Sequence, residues 1–253
     1  MADFNTNHEK EPFEITNELT RKRLHARKKQ RKKQVALHIL LCSAVIIILV
    51  SVVILVLSAI TGTGVFAEAE KGFTKYIQNP PTYTQQFLTV NEYSRPGTPL
   101  EQVNGIVIHY TGNPGTTAQQ NRSYFEGLAE SKITKASSHF IVGLSGEVLM
   151  CVPLDEIAYA SNERNVDTIS IECCIDNEAG RFSEKTYNTL VELTAWLIGK
   201  YDLTMEDVIR HYDITGKNCP KYFVEHESAW DDFKLDVAKY IETYGIDKDK
   251  KEE

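Results

Sequence analysis

Three side chains of the right types to do hydrolytic chemistry stand far apart in this chain: His109, His211 and Cys219. His109 closes Gly-Ile-Val-Ile-His-Tyr, where an apolar strand (Ile106, Val107, Ile108) runs out into a turn-rich Thr-Gly-Asn-Pro-Gly segment. His211 and Cys219 fall in His-Tyr-Asp-Ile-Thr-Gly-Lys-Asn-Cys-Pro, a stretch that reads as an irregular loop, neither helix nor strand. Two imidazoles and a thiolate can hold Zn²⁺ and leave its fourth position open, the arrangement of a hydrolytic zinc. Each residue also has an ordinary structural reading, and no compact ligand motif links them. Cys219 with His211 as its base would equally describe a thiol peptidase. The residues alone leave both open.

Two further residues bear on the choice. In Thr168-Ile-Ser-Ile-Glu172-Cys-Cys-Ile175, strand alternation puts Ile169, Ile171, Cys173 and Ile175 on one face and Ser170, Glu172 and Cys174 on the other. A mid-strand carboxylate is costly to bury unless paired or working. Beside an activated water Glu172 is a suitable general base; on an edge strand it would be a surface ion-pair residue. Lys217, two residues before Cys219, could stabilise an oxyanion or be an ordinary loop lysine.

These residues need a scaffold, and the patterning supplies an α/β one. Gly105–Tyr110, Ser138–Leu144, Val148–Val152 and Thr168–Ile175 are strand-like, with Ser145-Gly146 as a tight hairpin between the second and third. Thr117 caps a helix to about Glu130, Ser183 caps another, and a last helix runs from about Glu227 to Tyr244. Their apolar stripes are core. The expected fold is a mixed central β-sheet flanked by helices, over residues 86–244.

The N-terminal third is different in kind. Residues 1–34 carry ten Lys/Arg against five Asp/Glu, a net of +5 in a chain whose net charge is −7. The excess is concentrated in Arg21–Lys33, and residues 35–60 follow with no Asp, Glu, Lys or Arg. Such a length crosses a hydrocarbon core of about 30 Å. A basic run abutting a spanning segment argues against a nucleic-acid patch and for a cytoplasmic tail. The expected order is a cytoplasmic basic tail (1–34), a single transmembrane signal anchor (35–60), an extracytoplasmic stalk (61–85), the domain, and a charged tail (245–253). Cleavage near Ala67 is the competing reading, against which the long apolar and basic regions speak. Cys42 falls in the span. On the outer side disulfides can persist, so a bridge from Cys151 to Cys173 or Cys174 stays open beside free buried thiols.

The segments Gly-Ile-Val-Ile-His109-Tyr-Thr-Gly-Asn-Pro-Gly, Ser-Ser-His139-Phe-Ile-Val-Gly-Leu-Ser-Gly-Glu, Thr-Ile-Ser-Ile-Glu172 and His211 to Pro220 occur in the order seen in a known family. In these motifs the chain resembles the zinc-dependent N-acetylmuramoyl-L-alanine amidases of the type-2 amidase family, whose fold is shared with peptidoglycan recognition proteins. The resemblance spans about residues 100–225. It implies His109, His211 and Cys219 as zinc ligands, Glu172 as the base that activates water, and Lys217 as the oxyanion partner. It implies peptidoglycan as substrate, cut between the lactyl group of N-acetylmuramic acid and L-alanine. Some members carry a catalytic tyrosine where this chain has Ser138, a departure that favours Glu172 as base. His139 matches a frequent family residue that is not a ligand, and is expected in the pocket. Ala158-Tyr159-Ala160-Ser161 stands where many members read Ala-Trp-His-Ala-Gly, which affects the groove and not the metal. A noncatalytic peptidoglycan-binding module is the alternative; the presence of Cys219 beside both histidines favours the enzyme.

Overall fold

A computed structural model describes residues 72–249. The basic tail, the predicted membrane span at 35–60 and the first part of the stalk lie outside them. Among the described residues no helix is long and apolar enough to cross a membrane.

The strands are β1 (Lys75–Tyr76), β2 (Tyr83–Gln85), β3 (Gly105–Tyr110), β4 (Phe140–Val142), β5 (Val148–Met150), β6 (Thr168–Cys173), β7 (Val208–Arg210) and β8 (Ile246–Asp247). The helices are α1 (Ala118–Ser131), α2 (Glu184–Tyr201), α3 (His211–Thr215), α4 (Lys221–Glu225) and α5 (Glu227–Tyr244). Six strands form one sheet in the order β2-β5-β4-β6-β3-β7. All neighbours are parallel except the β4–β5 hairpin. That hairpin turns at Gly143–Gly146, where Gly146 adopts a φ of +84° that favours glycine.

Alternation sorts each strand between two cores. Ile106 and Ile108, Phe140 and Val142, and Ile169, Ile171 and Cys173 face a larger core shared with α2 and α5. Ile141, Leu149 and Cys174 face a smaller one under Leu128 and Phe125 of α1. The helix starts follow the expected chemistry. The Thr117 hydroxyl accepts from the Gln120 N–H while the Gln120 side chain accepts from the Thr117 N–H, and the Ser183 hydroxyl accepts from the Thr186 N–H.

The structure moves the domain boundaries outward. Residues 75–85 fall in the expected stalk, yet β1 pairs with β8 and β2 adds to the main sheet beside β5. Tyr76 lies so close to α2 that a Cβ on Gly199 would come within 2.7 Å of its Cβ. Likewise Ile246 and Asp247, expected in a charged tail, form β8. Strands of two or three residues show no alternation to read, so only their partners reveal them. A domain starting at Phe87 is therefore expected to melt about 5 °C or more below one starting at Gly72. Equal melting temperatures would show that 72–86 is a tether after all.

Candidate metal centre

Three adjacent parallel strands deliver the site. β3 pairs with β6 in the register His109↔Glu172, so those side chains share a face. β3 pairs with β7 through Ile108↔Arg210, which puts His211 one residue further, beside His109. All three groups thus sit at the carboxyl ends of parallel strands, where open α/β sheets place their ligands. β6 lies between β4 and β3, so Glu172 is not on an edge strand.

Cys219 arrives by a local reversal. The stretch after β7, expected to be an irregular loop, begins with the one-turn helix α3, and His211 is its first residue. A single turn is too short for a helical period to show in sequence. Gly216 ends the turn in the left-handed region (φ 73°), its N–H bonded to the Tyr212 carbonyl at 2.8 Å. The chain then doubles back until the Cys219 carbonyl accepts from the Tyr212 N–H at 2.9 Å. Arg210 anchors this turn. Its buried guanidinium pairs with Asp213 and Glu227 at 2.8 Å each and donates to the Phe223 carbonyl at 3.0 Å.

The donor atoms converge. His109 Nδ1 lies 3.2 Å from His211 Nδ1 and 3.9 Å from Cys219 Sγ. A tetrahedral zinc with Zn–N bonds near 2.0–2.1 Å requires about 3.3 Å between two nitrogens. The two nitrogens fit such an ion in spacing, and the donor set as a whole, with all three atoms within 4.8 Å of one another, fits it in chemistry. Burial foremost, then His211 and Lys217, holds His109 well below the ordinary imidazole range; burial and Lys217 lower His211. Neutral imidazoles are the metal-binding form.

Around this cluster the charges are arranged asymmetrically. Burial pushes the Glu172 carboxyl up to about 8 although Lys217 opposes it, and Glu172 Oε2 is buried without a hydrogen-bond partner. Burial, then Glu172, pushes the Cys219 thiol up to about 12, against the pull of the Tyr110 N–H and Lys217. Both ring nitrogens of His211 have other partners, His109 Nδ1 and Asn162 Oδ1, which speaks against its serving Cys219 as a base in a thiol peptidase. Lys217 itself is exposed, with its charge felt by His109, His211, Glu172 and Cys219 together. Cys151, Cys173 and Cys174 are free and buried, so the open disulfide question resolves to thiols.

His139, expected in the pocket, is instead a buried structural tie. Its Nδ1 accepts from the Ser170 N–H at 3.0 Å and its Nε2–H donates to the Glu156 carbonyl at 2.9 Å. Burial lowers its pKa from 6.5 to about 4. A histidine depressed in the folded state contributes stability that is full above about 6.5 and lost as pH falls toward 4. The urea midpoint of the wild type should accordingly fall more steeply between pH 7 and pH 4 than that of His139→Gln. Parallel curves would refute this role.

Two further neighbours of the cluster were not read from the sequence as site residues. Ser161 Oγ lies 3.2 Å from His109 Nε2, and Asn162 Oδ1 lies 3.1 Å from His211 Nε2. They sit some fifty residues from either histidine. The one local hint is Asn162 itself, a residue type that tolerates the left-handed backbone it adopts here (φ 52°).

A mixed α/β domain that gathers two neutral histidines, a thiol and an unpartnered carboxylate at its strand ends has the frame of a metal-dependent hydrolase. Comparison with known proteins narrows that class. Residues 99–222 match the family model described as N-acetylmuramoyl-L-alanine amidase. Those residues form a domain of the type-2 amidase family. It is 34% identical over 170 residues to the N-acetylmuramoyl-L-alanine amidase CwlL of Bacillus licheniformis, covering 62% of this chain and 47% of that protein. It is 32% identical over 187 residues to BlyA of Bacillus subtilis, covering 66% and 49%. The chain thus spans about half the length of the curated relatives it matches. Among solved structures, the catalytic domain of XlyA superposes with a TM-score of 0.52 at 25% identity, over 62% of this chain and 99% of that one. PlyL shares the fold with a TM-score of 0.54 at 21% identity, over 62% and 97%.

Proposed function

We propose that this chain is a membrane-anchored, zinc-dependent N-acetylmuramoyl-L-alanine amidase that hydrolyses peptidoglycan between the lactyl group and L-alanine. The observation that carries the reading is the convergence of His109, His211 and Cys219 beside Glu172, inside a domain of the amidase family. His109, His211 and Cys219 would hold the metal. When bound, zinc supplies Lewis-acid activation of water and of the scissile carbonyl. Glu172 takes the proton of the attacking water and returns it to the leaving L-alanine nitrogen, a task suited to a carboxyl poised near neutral pH. Lys217 supplies positive charge toward the oxyanion that develops on the carbonyl.

The anchoring part of the proposal rests on sequence. Arg21–Lys33 followed by the uncharged residues 35–60 places the amidase domain outside the membrane, facing the wall. Retention in the membrane pellet after a high-salt wash is the expected result, and release into the wash would remove the anchor.

The activity is tested by digesting purified peptidoglycan and analysing the products by mass spectrometry. Free L-alanine amino termini, lost on chelation and restored by zinc, are expected. New reducing sugar ends, or cuts only within the stem peptide, would overturn the assignment.

A further inference from the structure

We propose that Ser161 is a positioning residue of the metal centre, its hydroxyl fixing His109 so that Nδ1 faces the metal, with Asn162 giving weaker support to His211. The inference rests on the metal reading above and adds the residues that orient its ligands. A ring that binds metal through one nitrogen must satisfy the other, and the group that does so sets tautomer and orientation. Here both Nε2 atoms point away from the cluster and meet oxygens of consecutive residues, at 3.2 Å for Ser161 and 3.1 Å for Asn162.

Ser161 is held as a positioning group must be. It is 1% exposed, as is His109. The Asn165 side-chain oxygen accepts from the N–H groups of Ala160 and Ser161 at 3.0 and 2.6 Å. One residue earlier, the Tyr159 N–H donates to the Ser137 hydroxyl and its carbonyl accepts from the Ser137 N–H. The backbone from Tyr159 to the N–H of Ser161 is therefore held by these bonds. A hydroxyl also suits the position chemically. It accepts from Nε2–H when a cation occupies Nδ1, and donates to Nε2 when Nδ1 carries the proton.

Burial separates the two contacts in strength. Removing the Ser161 hydroxyl leaves a buried imidazole nitrogen with no partner, whereas water can replace the exposed Asn162. Both oxygens are uncharged, so neither contact adds negative charge to a site that already contains a cysteine ligand.

The test measures zinc affinity of the purified full-length chain by competition with a chromophoric chelator. Ser161→Ala is expected to weaken binding about 10–100-fold. Ser161→Thr, which keeps the hydroxyl, should restore most of it, and Asn162→Gly should weaken binding by about threefold or less. Melting of the zinc-stripped variants shows whether the fold is kept. A folded Ser161→Ala protein that binds zinc as tightly as the wild type overturns the inference. Should Ser161→Ala fail to fold, ¹⁵N imidazole shifts of the zinc-loaded wild type decide. Nδ1 coordination and a slowly exchanging Nε2–H at His109 support the role, and Nε2 coordination overturns it. A wild type that binds no zinc sinks the metal reading itself, a result distinct from unchanged affinity in the variant.

Discussion

Replacing Glu172 by glutamine is expected to lower amidase turnover by about 10²–10⁴-fold while leaving zinc content unchanged. The substitution keeps size and shape but removes the ability to take and return a proton. Glu172 lies in register with His109, half-buried, with an oxygen shielded from water and unpartnered. That is a costly way to keep a carboxylate, and stability should reveal the cost. The carboxyl is raised from 4.5 to about 8 in the folded chain, chiefly by burial. Stability gained from its neutral form is complete below about 4.5 and lost as pH rises toward 8. The zinc-stripped Glu172→Gln protein should therefore melt higher than the wild type at pH 7 and show less change over that window. Full activity in the variant would sink the base assignment. A lower melting temperature would recast Glu172 as structural.

The second large effect concerns the metal. Cys219→Ser is expected to weaken zinc retention by at least about 100-fold, because a hydroxyl replaces a soft thiolate in a three-ligand set. The cysteine is 2% exposed, its sulfur is 3.9 Å from His109 Nδ1, and its backbone is pinned by Tyr212. Loss of metal in this variant should therefore reflect ligand chemistry, with the far-ultraviolet dichroism unchanged. Elemental analysis of the purified protein reads the outcome directly. Unchanged zinc would remove Cys219 from the ligand set and reopen its role as a thiol.

Much of this was legible before any fold was known. The strand Gly105–Tyr110 and the helix from Glu227 to Tyr244 match their sequence-based bounds. The caps at Thr117 and Ser183 set the other two long helices, since capping chemistry acts within one turn. Strand alternation also separated Glu172 from Ile169 and Ile171 correctly. β1, β2, β7, β8, α3 and α4 escaped because each is too short for a hydrophobic period to accumulate. His139 was misplaced for a different reason. A buried histidine tied to backbone groups and one lining a pocket look alike in sequence, and only its partners Ser170 and Glu156 tell them apart.

The amino-acid sequence by itself determined the residue types at the site and the strands β3 and β6 that carry His109 and Glu172. It also carried the contrast between a basic, then uncharged N-terminal region and an acidic α/β domain. All of that depends on neighbours a few positions apart. Only the tertiary structure decided that His109 meets His211 across 102 residues, because that contact exists through the β3–β7 register and nowhere along the chain. The same holds for Ser161 and Asn162. A single residue of slip in strand register would turn His109 to the opposite face of the sheet and leave their oxygens without an imidazole to hold.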